Sequence, residues 1–186
     1  MNLKNNNKTV CIFCSSSANI SDNIKKVGSE FAILLAQNNY SLLYGGTNCG
    51  LMGVIALAHK EAKGNLIGVI PKYMIDQGLG CKDLDETIIV DDLRPRKQKM
   101  LEHSDVIVAL PGGIGTYDEF FDLLTLKQLK RHNKPMYLLN IDGYYKPLMS
   151  LFEHGVKQKT IKPDNYNLFK MVNTPQELIS LIKEVD

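Results

Sequence analysis

Short β-rich apolar runs alternate with helix-periodic segments along the whole chain, and few folds satisfy that pattern. The runs are Thr9–Cys14, Ser41–Tyr44, Leu66–Ile70, Thr87–Val90, Val106–Leu110, Pro135–Leu139 and, as a final edge strand, Leu168–Val172. Helical patterns follow them, starting at Ser21 or Asp22, Leu51, Asp91 or Asp92, after Gly115, at Tyr144 and at Thr174. Strands joined through helices lie parallel and are covered on both faces, so the fold class is α/β with a mostly parallel sheet. A chain of 186 residues fits one domain, over 9–186, with a core of its own. The polar residues 1–8 read as a disordered lead. Residues 71–85 read as irregular, a segment that either folds over a site or meets a partner. Thr174-Pro-Gln-Glu177 is a capping box with proline at the first helical position, and its helix runs to about Val185.

The most informative turn is Pro111-Gly-Gly-Ile-Gly-Thr-Tyr-Asp-Glu119, set between an apolar strand and a helix. Gly112, Gly113 and Gly115 let the backbone bend tightly and approach a ligand. Thr116 reads as the helix cap, and the free amides of the first turn then suit a phosphate. A phosphate would repel Glu119, which is expected to face another part of the ligand. The competing account is a plain tight turn whose Thr116 and Glu119 form a T-x-x-E capping box. Two more turns follow strand ends: Ser15–Asn19, with hydroxyls, and Gly45-Gly-Thr-Asn-Cys-Gly50. In a parallel sheet these ends share one edge, so three turns distant in sequence are expected at one crevice. G-x-G-x-x-G and G-x-x-x-x-G-K-S/T are both missing, which favours a mononucleotide or sugar phosphate over a dinucleotide or a P-loop ATPase.

Glu119 is the best candidate acid, base or charge stabiliser, and Arg96 the best fixed cation, because its planar fork clamps oxyanions. Lys97 reads as a phosphate contact or a plain surface lysine, with a Schiff-base role as the alternative. One carboxylate and one arginine beside a phosphate seat suit cleavage at a ribose, where a departing base leaves positive charge on the sugar. That chemistry requires no metal and no organic cofactor. The four histidines show no metal-ligand spacing, and HExxH is absent. Cys11-x-x-Cys14 is either a redox pair or, since it starts inside a strand, two core thiols. A net charge of +2 with scattered basic residues argues against nucleic acid. No signal-peptide core or membrane-length apolar stretch is present, so a cytoplasmic location is expected.

Gly45-Gly-Thr-Asn-Cys-Gly-Leu-Met-Gly53, Arg96-Lys97 with Met100, Pro111–Glu119 and Asn140-Ile-Asp-Gly-Tyr-Tyr145 together resemble the Lonely Guy family of cytokinin-activating phosphoribohydrolases, formerly labelled possible lysine decarboxylases. The resemblance runs over about residues 9–183. It implies a Rossmann-like homodimer that hydrolyses the N-glycosidic bond of a nucleoside 5'-monophosphate, N6-prenyl-AMP or AMP, to free base and ribose 5-phosphate. It implies Arg96 and Glu119 as the catalytic pair. Substrate contacts fall on Gly112, Gly113, Gly115 and Thr116, with Ser16, Gly45, Gly46 and Lys97 nearby. Helices flanking the site would form the dimer interface, with the partner subunit lining part of the base pocket. The sequence departs from the family pattern at Leu93-Arg94-Pro95, at Leu126 where a tryptophan is common, and at Thr47 where a third glycine is usual. These departures bear on the base pocket and leave the catalytic pair in place. Two other classes compete: a nucleotide or molybdenum-cofactor carrier, and a PLP-dependent lysine decarboxylase.

Overall fold

The computed structural model describes residues 7–184. Residues 1–6 of the expected lead and the expected helix end at Val185 lie outside the described residues. In chain order the elements are β1 (Thr9–Phe13), α1 (Asp22–Gln37), β2 (Ser41–Tyr44), α2 (Gly50–Glu61), β3 (Leu66–Pro71), α3 (Lys72–Asp76), β4 (Glu86–Val90) and α4 (Leu93–Glu102). Then come β5 (Val106–Ala109), α5 (Ile114–Gln128), β6 (Met136–Leu139), α6 (Lys146–Lys157), β7 (Lys170–Val172) and α7 (Pro175–Lys183).

The seven strands form one sheet in the order β4-β3-β2-β1-β5-β6-β7, and every pairing is parallel. From β1 the chain walks outward to β4, then returns to lay β5 on the other side of β1. Crossovers keep one hand, so reversing the walk moves the helices to the opposite face. One core therefore packs α1, α2 and α7 (Phe31, Leu35, Leu51, Ile55, Leu178, Ile182) on Val10, Ile12, Leu42, Val108 and Leu139. The other packs α4, α5 and α6 (Met100, Phe120, Leu123, Phe152) on Phe13, Leu43, Val69, Ile107 and Leu138. Successive strand residues face opposite ways, and the split of β1 between the two cores follows that period.

This alternation disposes of the redox pair. Cys14 belongs to the first core and Cys11 to the second, on opposite faces of the sheet. Both thiols are free and buried, and burial raises both pKa values well above the ordinary thiol range. They are packing residues.

Local chemistry sets most element ends. Ser21 caps α1, its Oγ accepting from the Ile24 amide at 3.2 Å. Thr174 caps α7 by accepting from the Glu177 amide at 3.1 Å, and the Glu177 carboxylate accepts from the Asn173 amide at 3.0 Å. Several ends differ from expectation, β7 among them, which starts at Lys170 rather than Leu168 because 163–168 form a short 3-10 helix. Pro71 is the last residue of β3 rather than a stop before it, paired in register with Val90. Lys72 then opens the short α3 within a segment expected to be irregular. α6 begins at Lys146 because Asp142 and Gly143, at φ 54° and 74°, turn the chain through a left-handed corner first. Among the described residues no helix is long and apolar enough to cross a membrane.

Candidate active site

The strand order reverses between β1 and β5, and in open parallel sheets the crevice beyond such strand ends is where ligands sit. A cavity of about 400 Å³ lies there. Its floor is Ser15–Ser17 after β1, Gly45 and Thr47 after β2, and Gly113–Thr116 at the start of α5; Arg96 and Glu119 form a wall. The three turns touch through their backbones. The Ser15 amide donates to the Pro111 carbonyl at 3.2 Å, and the Leu51 amide donates to the Ser15 carbonyl at 2.9 Å. Gly50, at φ 54°, permits that approach, because a Cβ there would lie 2.5 Å from the Ser16 carbonyl carbon.

The helix start differs from the sequence reading. α5 begins at Ile114 with Gly113 at the N-cap and no side-chain cap. Thr116 is the third helical residue rather than the cap, and its buried side chain closes over Gly112, where a Cβ would overlap Oγ1. T-x-x-E is therefore not a capping box, and Glu119 is not spent on its own helix end. The amides of Ile114, Gly115 and Thr116 have no acceptor within the helix, and these three residues line the cavity. Two glycines let the chain enter the helix extended and uncapped, which leaves this end able to receive an anion.

Arg96 is fixed from three sides. Its Nε donates to the Val69 carbonyl of β3 at 2.9 Å, and its Nη1 donates to Glu119 Oε1 at 2.9 Å. Its Nη2 lies over Gly45, where a Cβ would overlap it. The side chains are 11% and 15% exposed, so the pair is nearly enclosed and its attraction is weakly screened. Burial pushes the Glu119 carboxyl above the usual carboxylate range, with Arg96 pulling the other way and Asp118 adding to the rise.

Of the residues expected to contact substrate, Ser16, Gly45, Gly113, Gly115 and Thr116 line the cavity together with Arg96 and Glu119. Lys97 does not. Neighbouring helical positions diverge by about 100°, so with Arg96 turned inward Lys97 turns to α5, where its Nζ meets Asp118 at 3.0 Å and Asp122 at 3.7 Å. Gly46 and Gly112 also stand behind the lining. Gly46, at φ 74°, backs onto Ile70 and Gly68. Gly112 is covered by Thr116. Tyr73, Met74, Leu93 and Ile114 form an apolar mouth that residue-type reasoning did not select, with Ile114 88% exposed. Among the described residues no group of three or more His, Cys, Asp or Glu is placed to hold a metal ion.

A seven-stranded parallel sheet with helices on both faces and an arginine–carboxylate pair in the crevice at its switch point defines a protein of the Rossmann-like α/β class. Residues 52–182 match the family model described as "possible lysine decarboxylase". The chain is 35% identical over 181 residues to the cytokinin riboside 5'-monophosphate phosphoribohydrolase LOG5 of Arabidopsis thaliana, covering 97% of this chain and 79% of the relative. It is also 35% identical to LOG1 of the same plant, over 99% of this chain and 86% of the relative. The chain belongs to this family, which contains the Lonely Guy proteins. Its fold is shared with the molybdenum cofactor binding protein of Rippkaea orientalis (TM-score 0.74, 23% identity, 96% of this chain and 97% of that one). It is shared too with the molybdenum cofactor carrier protein of Chlamydomonas reinhardtii (TM-score 0.72, 22% identity, 96% and 97%).

Proposed function

We propose that the protein is a nucleoside 5'-monophosphate phosphoribohydrolase that releases the free base and ribose 5-phosphate. The observation that carries this reading is the Arg96–Glu119 pair lining the same cavity as the uncapped start of α5. The 5'-phosphate sits on the amides of residues 113–116, with Gly113 and Gly115 allowing close approach. The ribose then lies toward Glu119, about one helical turn further along. In the reaction the C1'–N bond breaks and its electron pair leaves with the base. The sugar ring carries the developing positive charge, which the Glu119 carboxylate stabilises. Water adds at C1' and gives a proton to Glu119, which passes it to the departing base and returns to the carboxylate. Arg96 opposes the rise that burial imposes on the Glu119 carboxyl, and its Nη1 holds Oε1 in place.

The named activities of the curated relatives support this assignment, and the apolar mouth of Tyr73, Met74, Leu93 and Ile114 suits an adenine with an apolar N6 substituent. The likeness to molybdenum cofactor proteins, below 25% identity, supports the fold alone. A carrier has no need of an enclosed general base, so the pair favours the hydrolase. A homodimer belongs to the same proposal, supported by large apolar side chains left exposed, among them Leu57, Tyr73, Ile89 and Leu93.

The test is a substrate panel of AMP, prenyl-AMP, GMP, CMP and the matching nucleosides, scored for free base. Monophosphates are expected to be cleaved and nucleosides hardly at all. Glu119→Gln is expected to lower base release by roughly 100-fold or more while nucleotide binding changes only a few-fold. Equal turnover by that variant removes Glu119 from the chemistry.

A further inference from the structure

The segment after β6, Asn140-Ile-Asp-Gly-Tyr-Tyr145, lies outside the cavity lining, yet its two tyrosines reach the glycine turn. Tyr144 Oη donates to the Gly112 carbonyl at 2.6 Å, and Tyr145 Oη donates to the Leu110 carbonyl at 2.7 Å. Tyr117, in the first turns of α5, donates to Tyr144 Oη at 3.0 Å, making a chain of two hydroxyls that ends on the turn. The corner is itself braced. The Asn140 side chain accepts from the Tyr145 amide at 2.8 Å and donates to Asn173 at 2.9 Å, while Asn23 of α1 donates to Asp142 at 2.7 Å. The Tyr144 and Tyr145 rings meet edge-on, 5.1 Å apart.

We propose that Tyr144 is a positioning residue for the phosphate seat, acting through the peptide between Gly112 and Gly113. This rests on the nucleotide reading above. A trans peptide is planar, with its C=O and N–H pointing opposite ways. Tyr144 grips the carbonyl from behind, so the Gly113 N–H is aimed forward into the cavity that Gly113 lines. Glycine on both sides leaves that peptide free to rotate, and a rotated peptide would present a carbonyl oxygen to the anion. The hydrogen bond from Tyr117 polarises the Tyr144 hydroxyl and strengthens its donation. The Tyr144 phenol, pushed up to about 12 mainly by burial, remains a donor across the neutral range.

The experiment uses calorimetric binding of AMP and of adenosine to the full chain carrying Glu119→Gln, with and without Tyr144→Phe. Tyr144→Phe is expected to weaken AMP about fivefold, to leave adenosine unchanged, and to keep the melting temperature close to that of its parent. Tyr117→Phe, which retains the direct bond to Gly112, is expected to weaken AMP in the same direction by less, and it serves if the first variant folds poorly. In the otherwise native chain the Tyr144→Phe loss is expected in KM for the monophosphate rather than in kcat. AMP affinity unchanged in both variants, or AMP and adenosine weakened alike, overturns the role of Tyr144 while nucleotide binding by the parent stands. A parent that binds no AMP overturns both readings.

Discussion

Gly45 and Arg96 compete for one volume. A methyl group at residue 45 would overlap Nη2 and lie 2.8 Å from Met52 Sδ, so Gly45→Ala has to push the guanidinium off its seat. The displaced group is the end of a flexible side chain, and the backbone need not move. Gly45→Ala is therefore expected to fold with a smaller stability loss than removal of the arginine, because a displaced guanidinium can still partly compensate Glu119, and to lose roughly 10- to 100-fold in kcat/KM. Native-like activity would show that the guanidinium position is not used. Arg96→Ala goes further, because it strands a buried carboxylate. It is expected to cost roughly 3 kcal/mol of stability in urea unfolding. Arg96 pulls the Glu119 pKa down, so without it the carboxyl titrates higher still. Any remaining activity that needs ionised Glu119 then loses its acidic limb at higher pH than in the native protein. The meeting of Arg96 and Glu119 at one cavity was legible in the sequence because each opens a helix just after a strand end, and those ends share one edge of a parallel sheet. Lys97 was not, because a basic pair carries no phase: only the packing of α4 decides which member turns inward. Thr116 misled for a related reason, since Gly112 and Gly113 let the helix begin two residues before its first good capping side chain.

At the scale of the element, strands and their order of use were readable, since β1, β2 and β5 are apolar runs ended by polar or glycine turns. The left-handed corner at Asp142–Gly143 was harder to read, because only one of its two residues is a glycine. The same holds for α3, a five-residue helix whose Tyr73 and Met74 reach the cavity from a stretch with no clear period. α7 owes its start to Thr174. Thr174→Ala is expected to cost about 1 kcal/mol, seen as a fall of about 3 °C in melting temperature. Base release should stay unchanged, since α7 is no part of the cavity. α2 carries a different sensitivity. Buried His59 places Nδ1 2.9 Å from the Ala32 carbonyl of α1 and Nε2 3.2 Å from the Asn65 carbonyl, tying two helices to the entry of β3. Gly64 makes room for its ring. Burial lowers its pKa below 6.5, while the two carbonyls and Asp85 oppose and Lys60 assists. A histidine lowered on folding leaves the unfolded chain binding more protons in acid. Stability is then held above about pH 6.5 and falls as the pH drops below it. Urea titrations at successive pH values should show that slope, and His59→Asn should flatten it.

At the scale of the whole molecule, several large apolar side chains stay exposed in the single chain. β4 is the sheet edge, and Ile89 is 59% exposed there. It pairs in register with Ile70, whose neighbours in β3 alternate toward the α1–α2 face, so Ile89 points to the layer that α2 covers only as far as β3. Leu57, 61% exposed on α2, stands on the same layer, beside a cavity of about 490 Å³ lined by Ala56, Leu57, Leu66 and Cys81. Leu93 and Tyr73, 47% and 42% exposed, line the cavity that holds Arg96 and Glu119. Large apolar side chains left bare in number are the kind of surface that association covers. A second copy covering it would carry the interface up to the base end of the site, as the family resemblance implies. The protein is expected to run in light scattering at twice its 20.9 kDa chain mass. Leu57→Glu places a charge where that copy would bury it, and is expected to shift the mass to a single chain. If the partner completes the base pocket, dilution of that variant should lower base release from prenyl-AMP while its fold, read by circular dichroism, is retained. A native protein that is monomeric at every concentration and fully active would confine the entire catalytic site to the one chain.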